Sequence, residues 1–377
     1  MRQAQGRCAS ASGTAAVVLV CISVYVTVPL MLHGHIDSDL AAGHLRGLAF
    51  VGPGRARRDG THHEKLEAFT HRKAYVRRLD GDIAGACASA VDDAPPACDD
   101  AAPRLVTYNT FRAAERGTAE LVGRWLNARA PDYASLNELN GFANQSEFEA
   151  WGWRHGFGGA FFLPAPSGFH VGFLARAAGA CSLEARATQG FAHGVLRVRC
   201  GSSTFLVTHL TPFDAASRAH EATKIARMAW DAVRGRGPDA RVAVCGDLNS
   251  PPLAAPYVDS LPEMIAGLKD DLRQRLTRKF MGPDGRLDAL VASIFRAAGL
   301  EDACLGQGRA DGCAPTVPTK VTVDNSHELA TRLDYVWLGG AWRDGRCGDA
   351  TARGATNANA LTDVLSDHYP LEVKLLA

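Results

Sequence analysis

The run Arg241-Val242-Ala243-Val244-Cys245-Gly246-Asp247-Leu248-Asn249-Ser250-Pro251-Pro252 passes in one step from apolar to polar. Arg241–Cys245 reads as a buried strand, Gly246 lets another backbone come close, and the two prolines end the segment. Asp247 and Asn249 are left as short polar side chains on either side of a Leu. By itself this is an ordinary turn, because Asp, Asn and Gly all favour turns. Five further motifs occupy comparable positions beside apolar runs: Tyr108-Asn109, Asn137-Glu138, Thr208-His209-Leu210, Leu333-Asp334-Tyr335 and Ser366-Asp367-His368. Carboxylates and amides placed just after buried strands project from a rigid edge. That arrangement holds a hard divalent cation and a water against a phosphate. The set predicts a site for metal-dependent cleavage of a phosphodiester.

Working outward, short apolar runs alternate with amphipathic stretches from Arg104 onward. Strands are expected at Leu105–Tyr108, Tyr133–Asn137, Val171–Leu174, Val195–Cys200, Phe205–Thr208, Arg241–Cys245, Leu333–Leu338 and Leu371–Leu376. Leu287, Leu290, Val291, Ile294, Phe295 and Ala298 follow helical spacing, as do Ala222, Ile225, Ala226, Ala229 and Val233, so each stretch buries one stripe on a sheet. Strand runs in adjacent pairs with helices between some of them predict an α/β or α+β sandwich and not a simple doubly wound sheet. Leu253 to Asp284 reads as a loop whose charges, Lys269-Asp270-Asp271 and Arg278-Lys279, face solvent.

Two single residues can be weighed further. Asp334 lies within an apolar run, where an unpaired charge is costly, so it needs a partner. His368 is the natural one, since a carboxylate that accepts from an imidazole fixes its tautomer and raises its basicity. A purely structural pair is the competing reading. His209 ends a strand and either donates to a phosphate oxygen or is a satisfied core histidine. His170 and His193 have similar settings without polar companions and read as structural.

The amino-terminal end is of another kind. Ala15–Leu32 is apolar and free of charge, with Arg2 and Arg7 before it. Its length and the lack of a small-x-small cleavage site favour a transmembrane signal-anchor over a cleaved signal peptide. The expected organisation is a tail over 1–14, the anchor over 15–32, a stem over 33–103 with a helix-like stretch around Glu64 to Arg78, and one catalytic domain over 104–377. The basic residues before the anchor leave this domain lumenal or extracellular, and signal cleavage would leave it secreted. Of ten cysteines, Cys304 with Cys313 and Cys181 with Cys200 are near neighbours suited to disulfides. Cys245, in an apolar strand, reads as a buried free thiol. The 41 Lys and Arg against 40 Asp and Glu, balanced also from Arg104 onward, show no electrostatic footprint for long nucleic acid.

In their order, the six motifs resemble the endonuclease/exonuclease/phosphatase superfamily with the DNase I-like fold, over essentially all of residues 104–377. Tyr108-Asn109 is similar to its first-strand Asn, Leu136-Asn137-Glu138 to its metal-binding Glu motif, and Gly246-Asp247-Leu248-Asn249 to its most recognisable tetrapeptide. Arg332-Leu333-Asp334-Tyr335 and Leu365-Ser366-Asp367-His368-Tyr369-Pro370 match the closing pair. Asn137 stands where the family usually has Gln, which leaves the following Glu intact. Asn109-Thr110-Phe111 lacks the nearby Asp that abasic-site nucleases use, which argues against DNA repair.

The resemblance implies a four-layered α/β sandwich, here preceded by one hydrophobic helix, with the site at one rim. It implies Mg²⁺, replaceable by Mn²⁺, held by Glu138 with Asn109 and Asp367. His368, oriented by Asp334, would take the proton of the attacking water. Asp247 and Asn249 would hold water and phosphate in line, and His209 would donate to the phosphoryl or leaving oxygen. In the competing assignment Asp247 takes the proton and His368 stabilises charge. The expected substrate is a phospholipid, sphingomyelin-like or small phosphodiester, as in the sphingomyelinase-type members. An extracellular nuclease is the second reading, and a non-catalytic binding module on the same fold the third.

Overall fold

The computed structural model describes residues 102–375, except 255–256, 306–312, 323–326, 328, 345–353, 357 and 360. The expected tail, anchor and stem lie outside the described residues, and among those described no helix is long and apolar enough to cross a membrane.

Two six-stranded sheets form the centre among the described residues. The first contains β1 (Arg104–Asn109), β2 (Tyr133–Asn137), β3 (Gly159–Leu163), β4 (Val171–Ala175), β11 (Gly354–Thr356) and β12 (Leu371–Lys374), in the order β11-β12-β1-β2-β4-β3. The second contains β5 (Cys181–Ala187), β6 (Val195–Cys200), β7 (Ser203–His209), β8 (Arg241–Asp247), β9 (Glu301–Asp302) and β10 (Asp334–Gly340), in the order β5-β6-β7-β8-β10-β9. Each sheet has one central parallel pair, β1 with β2 and β7 with β8, flanked by antiparallel neighbours.

Facing residues of the two sheets, among them Val171, Phe173, Val198, Phe205, Val207 and Cys245, build the middle core. On the outer face of the first sheet, after the one-turn α1 (Ala113–Arg116), α2 (Ala119–Arg129) and α3 (Gln145–Arg154) pack Val122, Trp125, Phe148 and Trp151. On the outer face of the second, α4 (Ala215–Arg234) buries its predicted stripe and α7 (Leu290–Ala297) packs Val291, Ile294 and Phe295, while Leu290 of the predicted stripe is exposed and Leu287 packs in a separate cluster. The result is the four-layered α/β sandwich, because strands buried on both faces need helices outside and a sheet partner inside.

The structure corrects three details. The segment read as a loop between Leu253 and Asp284 contains two helices, α5 (Tyr257–Ala266) and α6 (Asp270–Phe280), whose Leu261, Ile265, Leu272, Leu276 and Phe280 form a satellite core. These positions, with Leu268, recur every three or four residues, a helical stripe that the loop reading misses because Asp, Lys and Arg dominate the segment, and Lys279 is buried rather than solvated. β5 adds a strand that periodicity does not reveal, because it is a half-exposed edge strand whose register shifts between Leu183 and Ala185, which breaks the alternation that marks a strand. β3 adds a short strand whose apolar signal is confined to Phe161-Phe162-Leu163, after Gly158-Gly159-Ala160. Both anticipated disulfides are present: Cys181–Cys200 ties register partners of β5 and β6, and Cys304–Cys313 closes a loop. Cys245 is a buried free thiol.

Candidate active site

Strand register gathers the polar motifs at one rim. In the first sheet Asn109 pairs with Asn137, and in the second His209 and Asp334 both pair with Asp247 from opposite sides. Asn137 then joins the sheets: its Nδ2 donates to the Thr208 carbonyl at 2.9 Å and its Oδ1 accepts from Asp247 N at 2.8 Å. The shorter residue in place of the family's Gln therefore acts as a cross-sheet tie.

Asn109 is the centre of the cluster. Its Nδ2 donates to Glu138 Oε1 and to Asp247 Oδ2, each at 3.1 Å, while its Oδ1 accepts from Phe111 N at 3.0 Å. The backbone donor settles the amide's orientation, so one NH₂ group bridges carboxylates carried by two sheets. Two nearby carboxylates attract the amide's donor side, and Phe111 occupies its oxygen.

Glu138 is half-buried with a backbone φ of +56°. For a residue with a long side chain this left-handed conformation costs roughly 1–3 kcal/mol, a cost tolerated where the geometry serves the site. Its carbonyl is held by Arg112 N at 3.0 Å and Thr110 Oγ1 at 3.1 Å. Burial and then the Asp367 carboxylate push the Glu138 carboxyl up to about 8. Glu138 and Asp367 are thus hard oxygen donors short of positive charge, a set that suits a divalent cation of the Mg²⁺ type.

Beside them is the Asp334–His368 pair. His368 Nδ1–H donates to Asp334 Oδ2 at 2.7 Å, and both residues are fully buried. Thr316 Oγ1 accepts from Leu333 N at 2.9 Å and from Asp334 N at 3.3 Å, which holds the start of β10. Ser366 Oγ donates to the Asn109 carbonyl at 2.7 Å and accepts from His368 N at 3.1 Å, so the closing motif is fastened to the end of β1. Burial opposes a charged imidazole, but Asp334, followed by Asp247 and Asp367, outweighs it and carries His368 up to about 10. Burial likewise opposes a charged Asp247, yet His368, His209 and Lys279 hold its carboxyl below the usual range. His368 Nε2 lies 3.8 Å from Asp247 Oδ2 and has no hydrogen-bond partner among the described residues.

The opposite wall carries His209, whose Nε2 stands 3.5 Å from Asp247 Oδ2. His193 stacks on it with ring centroids 4.3 Å apart. His193 Nδ1 hydrogen-bonds the Ser167 hydroxyl at 2.7 Å, and Phe169 presents its ring edge-on to both imidazoles. Glu221 of α4 accepts from Ala192 N and Thr211 N, fixing the chain beside each histidine. Burial leaves both imidazoles neutral against the pull of Asp247: it takes His193 down to about 4 and, with His193 and His368 adding to it, His209 down to about 3. His193 thus packs against the cluster through His209. His170, by contrast, accepts from Ala165 N at 3.0 Å within its own loop. Asn249, at φ +48°, donates from Nδ2 to the Leu210 carbonyl at 3.0 Å and from its backbone to Asp247 Oδ1 at 2.8 Å.

All eight candidates, Asn109, Glu138, His209, Asp247, Asn249, Asp334, Asp367 and His368, converge on this rim. His327 joins them unannounced, its Nδ1 3.3 Å from Asp367 Oδ2. Nothing in sequence marks it, because it follows no apolar strand.

Among solved structures, the chain is similar to an AP endonuclease from Archaeoglobus fulgidus, with 16% identity, a TM-score of 0.50, and coverage of 72% of this chain and 99% of that one. It is also similar to the 3'-5' exonuclease NExo from Neisseria meningitidis, with 14% identity, a TM-score of 0.51, and coverage of 73% of this chain and all of that one (100%). At these identities the likeness shows the fold. No curated protein matches the chain. The Endonuclease/Exonuclease/phosphatase family matches residues 106–368, from β1 to the imidazole that closes the site, and the chain belongs to this family, whose members act on phosphodiester bonds.

Proposed function

We propose that the protein is a Mg²⁺-dependent phosphodiester hydrolase. One observation carries this reading: the Asn109 amide bridges Glu138 and Asp247 at the rim where the Asp334–His368 pair and His209 also meet. Glu138 and Asp367 would hold the cation, and a bound Mg²⁺ or Mn²⁺ supplies charge to polarise a phosphoryl oxygen. Asp247, ionised and aligned by Asn109 and the Asn249 amide, orients the attacking water and receives its proton. His368, charged and held by Asp334, stabilises negative charge at phosphorus. This geometry favours the second of the two base assignments considered from sequence. Neutral His209 donates from Nε2 toward the phosphoryl or leaving oxygen, and Asn249 borders the phosphate.

His193 acts through His209. His193→Ala would free the ring it stacks on and is expected to lower kcat about 10- to 100-fold with a smaller effect on KM. His193→Phe, which keeps the stack, should recover part of that loss. Equal losses in both variants would show that stacking is not what His193 contributes.

The substrate is a lipid-like or small phosphodiester. The even charge supports this, as do the apolar side chains beside the site, half-buried Phe111 and Phe169 and, in the turn after His209, Phe213 at 75% exposure. Two disulfides support a lumenal or extracellular location behind an Ala15–Leu32 anchor. The test is Mg²⁺-dependent product release from sphingomyelin, a plain phosphodiester reporter and single-stranded DNA, by the full-length protein and Glu138→Ala. Cleavage of the lipid, lost in the variant, is expected. Cleavage of DNA alone would make the protein a nuclease, and activity untouched by chelation or by the variant would remove the metal from the reading.

A further inference from the structure

Outside the Glu138 side of the cluster, one ring nitrogen each of His327 and His368 and an Asp367 carboxylate oxygen lie within 4.8 Å of one another. Their chemistry differs from that of the carboxylate cluster, with two imidazole nitrogens and one oxygen. Four features make this a built site. His368 is fully buried, and its Nε2 finds no hydrogen-bond partner among the described residues. Its other nitrogen donates to Asp334 at 2.7 Å, the carboxylate–histidine arrangement that fixes the ring and raises the basicity of the nitrogen facing a metal. The His327 ring meets the His368 ring edge-on, with centroids 5.0 Å apart, and one nitrogen of each lies within 4.8 Å of the other. Asp367 Oδ2 faces His327 Nδ1 at 3.3 Å.

We infer that His327, Asp367 and His368 form a site for a zinc-type transition-metal ion, which shares Asp367 with the Mg²⁺ site at Glu138 and differs from it by its two imidazole donors. Three protein ligands and one water complete a four-coordinate sphere with bonds of about 2.0–2.2 Å, which needs the three donor atoms about 3.4 Å apart. Nitrogen donors select Zn²⁺ or Co²⁺ over Mg²⁺, which prefers oxygen and keeps its waters. Binding releases any proton on His368 Nε2 to solvent. On the hydrolase reading, occupancy takes His368 out of service, so Zn²⁺ suppresses Mg²⁺-dependent turnover.

The test uses Co²⁺ added to the full-length protein without Mg²⁺. A visible absorption band of four-coordinate intensity, displaced by Zn²⁺, is expected in the wild type and in Glu138→Ala. In His327→Ala and His327→Gln, checked for folding by circular dichroism, Co²⁺ affinity should fall at least about tenfold. No band in the wild type, a band unchanged by both His327 variants, or a band lost in Glu138→Ala would each overturn the inference. Failure of the hydrolase reading would look different: the cobalt band would persist while no phosphodiester is turned over.

Discussion

Asp247→Asn is expected to lower kcat on a phosphodiester reporter by about three orders of magnitude, the combined scale of a lost proton acceptor and a lost oriented charge. The substitution keeps shape and removes charge. Its remaining oxygen can still accept from Asn249 N, as Oδ1 does now at 2.8 Å. At the other position a carboxylate oxygen that accepts from Asn109 Nδ2 at 3.1 Å becomes an NH₂ group, and two donors then face each other. That local conflict is offset by the removal of one negative charge from a cluster in which Asp247 already raises Glu138. The thermal midpoint should therefore stay within a few degrees of the wild type, which separates loss of chemistry from loss of fold. His368 should also lose part of the field that keeps it charged, since Asp247 is one of the carboxylates that raise it. Turnover within tenfold of the wild type would remove Asp247 from the role of proton acceptor and return it to His368.

The parts of this site legible in sequence share one physical origin. Asn109, His209 and Asp247 each end a strand, and Asp334 begins one, so hydrophobic periodicity alone places them at a sheet edge. Asn137 and Glu138 follow the same logic, and the helical stripes of α4 and α7 are readable because one face of each is continuously apolar. His193 and His327 cannot be found this way. His193 lies in the turn before β6, and only the packing of Ser167, Phe169 and Glu221 around that turn brings it onto His209. His327 reaches Asp367 across 40 positions of sequence without a strand of its own. The direction of the Asn109 amide is also out of reach, since it depends on one backbone donor, Phe111 N, in a turn of non-glycine residues at positive φ. Sequence spacing locates the edge, but the side-chain orientations that decide who donates and who ligates arise from loops.

Gly246→Ala is expected to destabilise the fold by about 3–5 kcal/mol, a large share of the stability of an ordinary domain. A Cβ at this position would meet the Thr208 carbonyl oxygen at 1.8 Å and Asn137 Oδ1 at 3.0 Å, and the backbone stands at φ +138°, where L side chains are strained in any case. Neither neighbour can give way cheaply. The Thr208 carbonyl accepts from Asn137 Nδ2, and Asn137 Oδ1 accepts from Asp247 N, so moving either breaks the tie between the sheets. Thr208 and Gly246 are also register partners in the central parallel pair, which anchors β7 to β8. Gly168→Ala provides the control, because Gly168 has φ +85° but nothing within 4 Å of the added atom. It should cost only the backbone strain, about 1 kcal/mol. Denaturant unfolding of the two variants measures the difference directly. If Gly246→Ala unfolds within about 1 kcal/mol of Gly168→Ala, the close approach is not rigid and the Asn137 tie does not hold the rim together. If the gap is as large as expected, the Gly before Asp247 has a mechanical reason: only a residue without a side chain lets β8 pass the Thr208 carbonyl and deliver the carboxylate to Asn109.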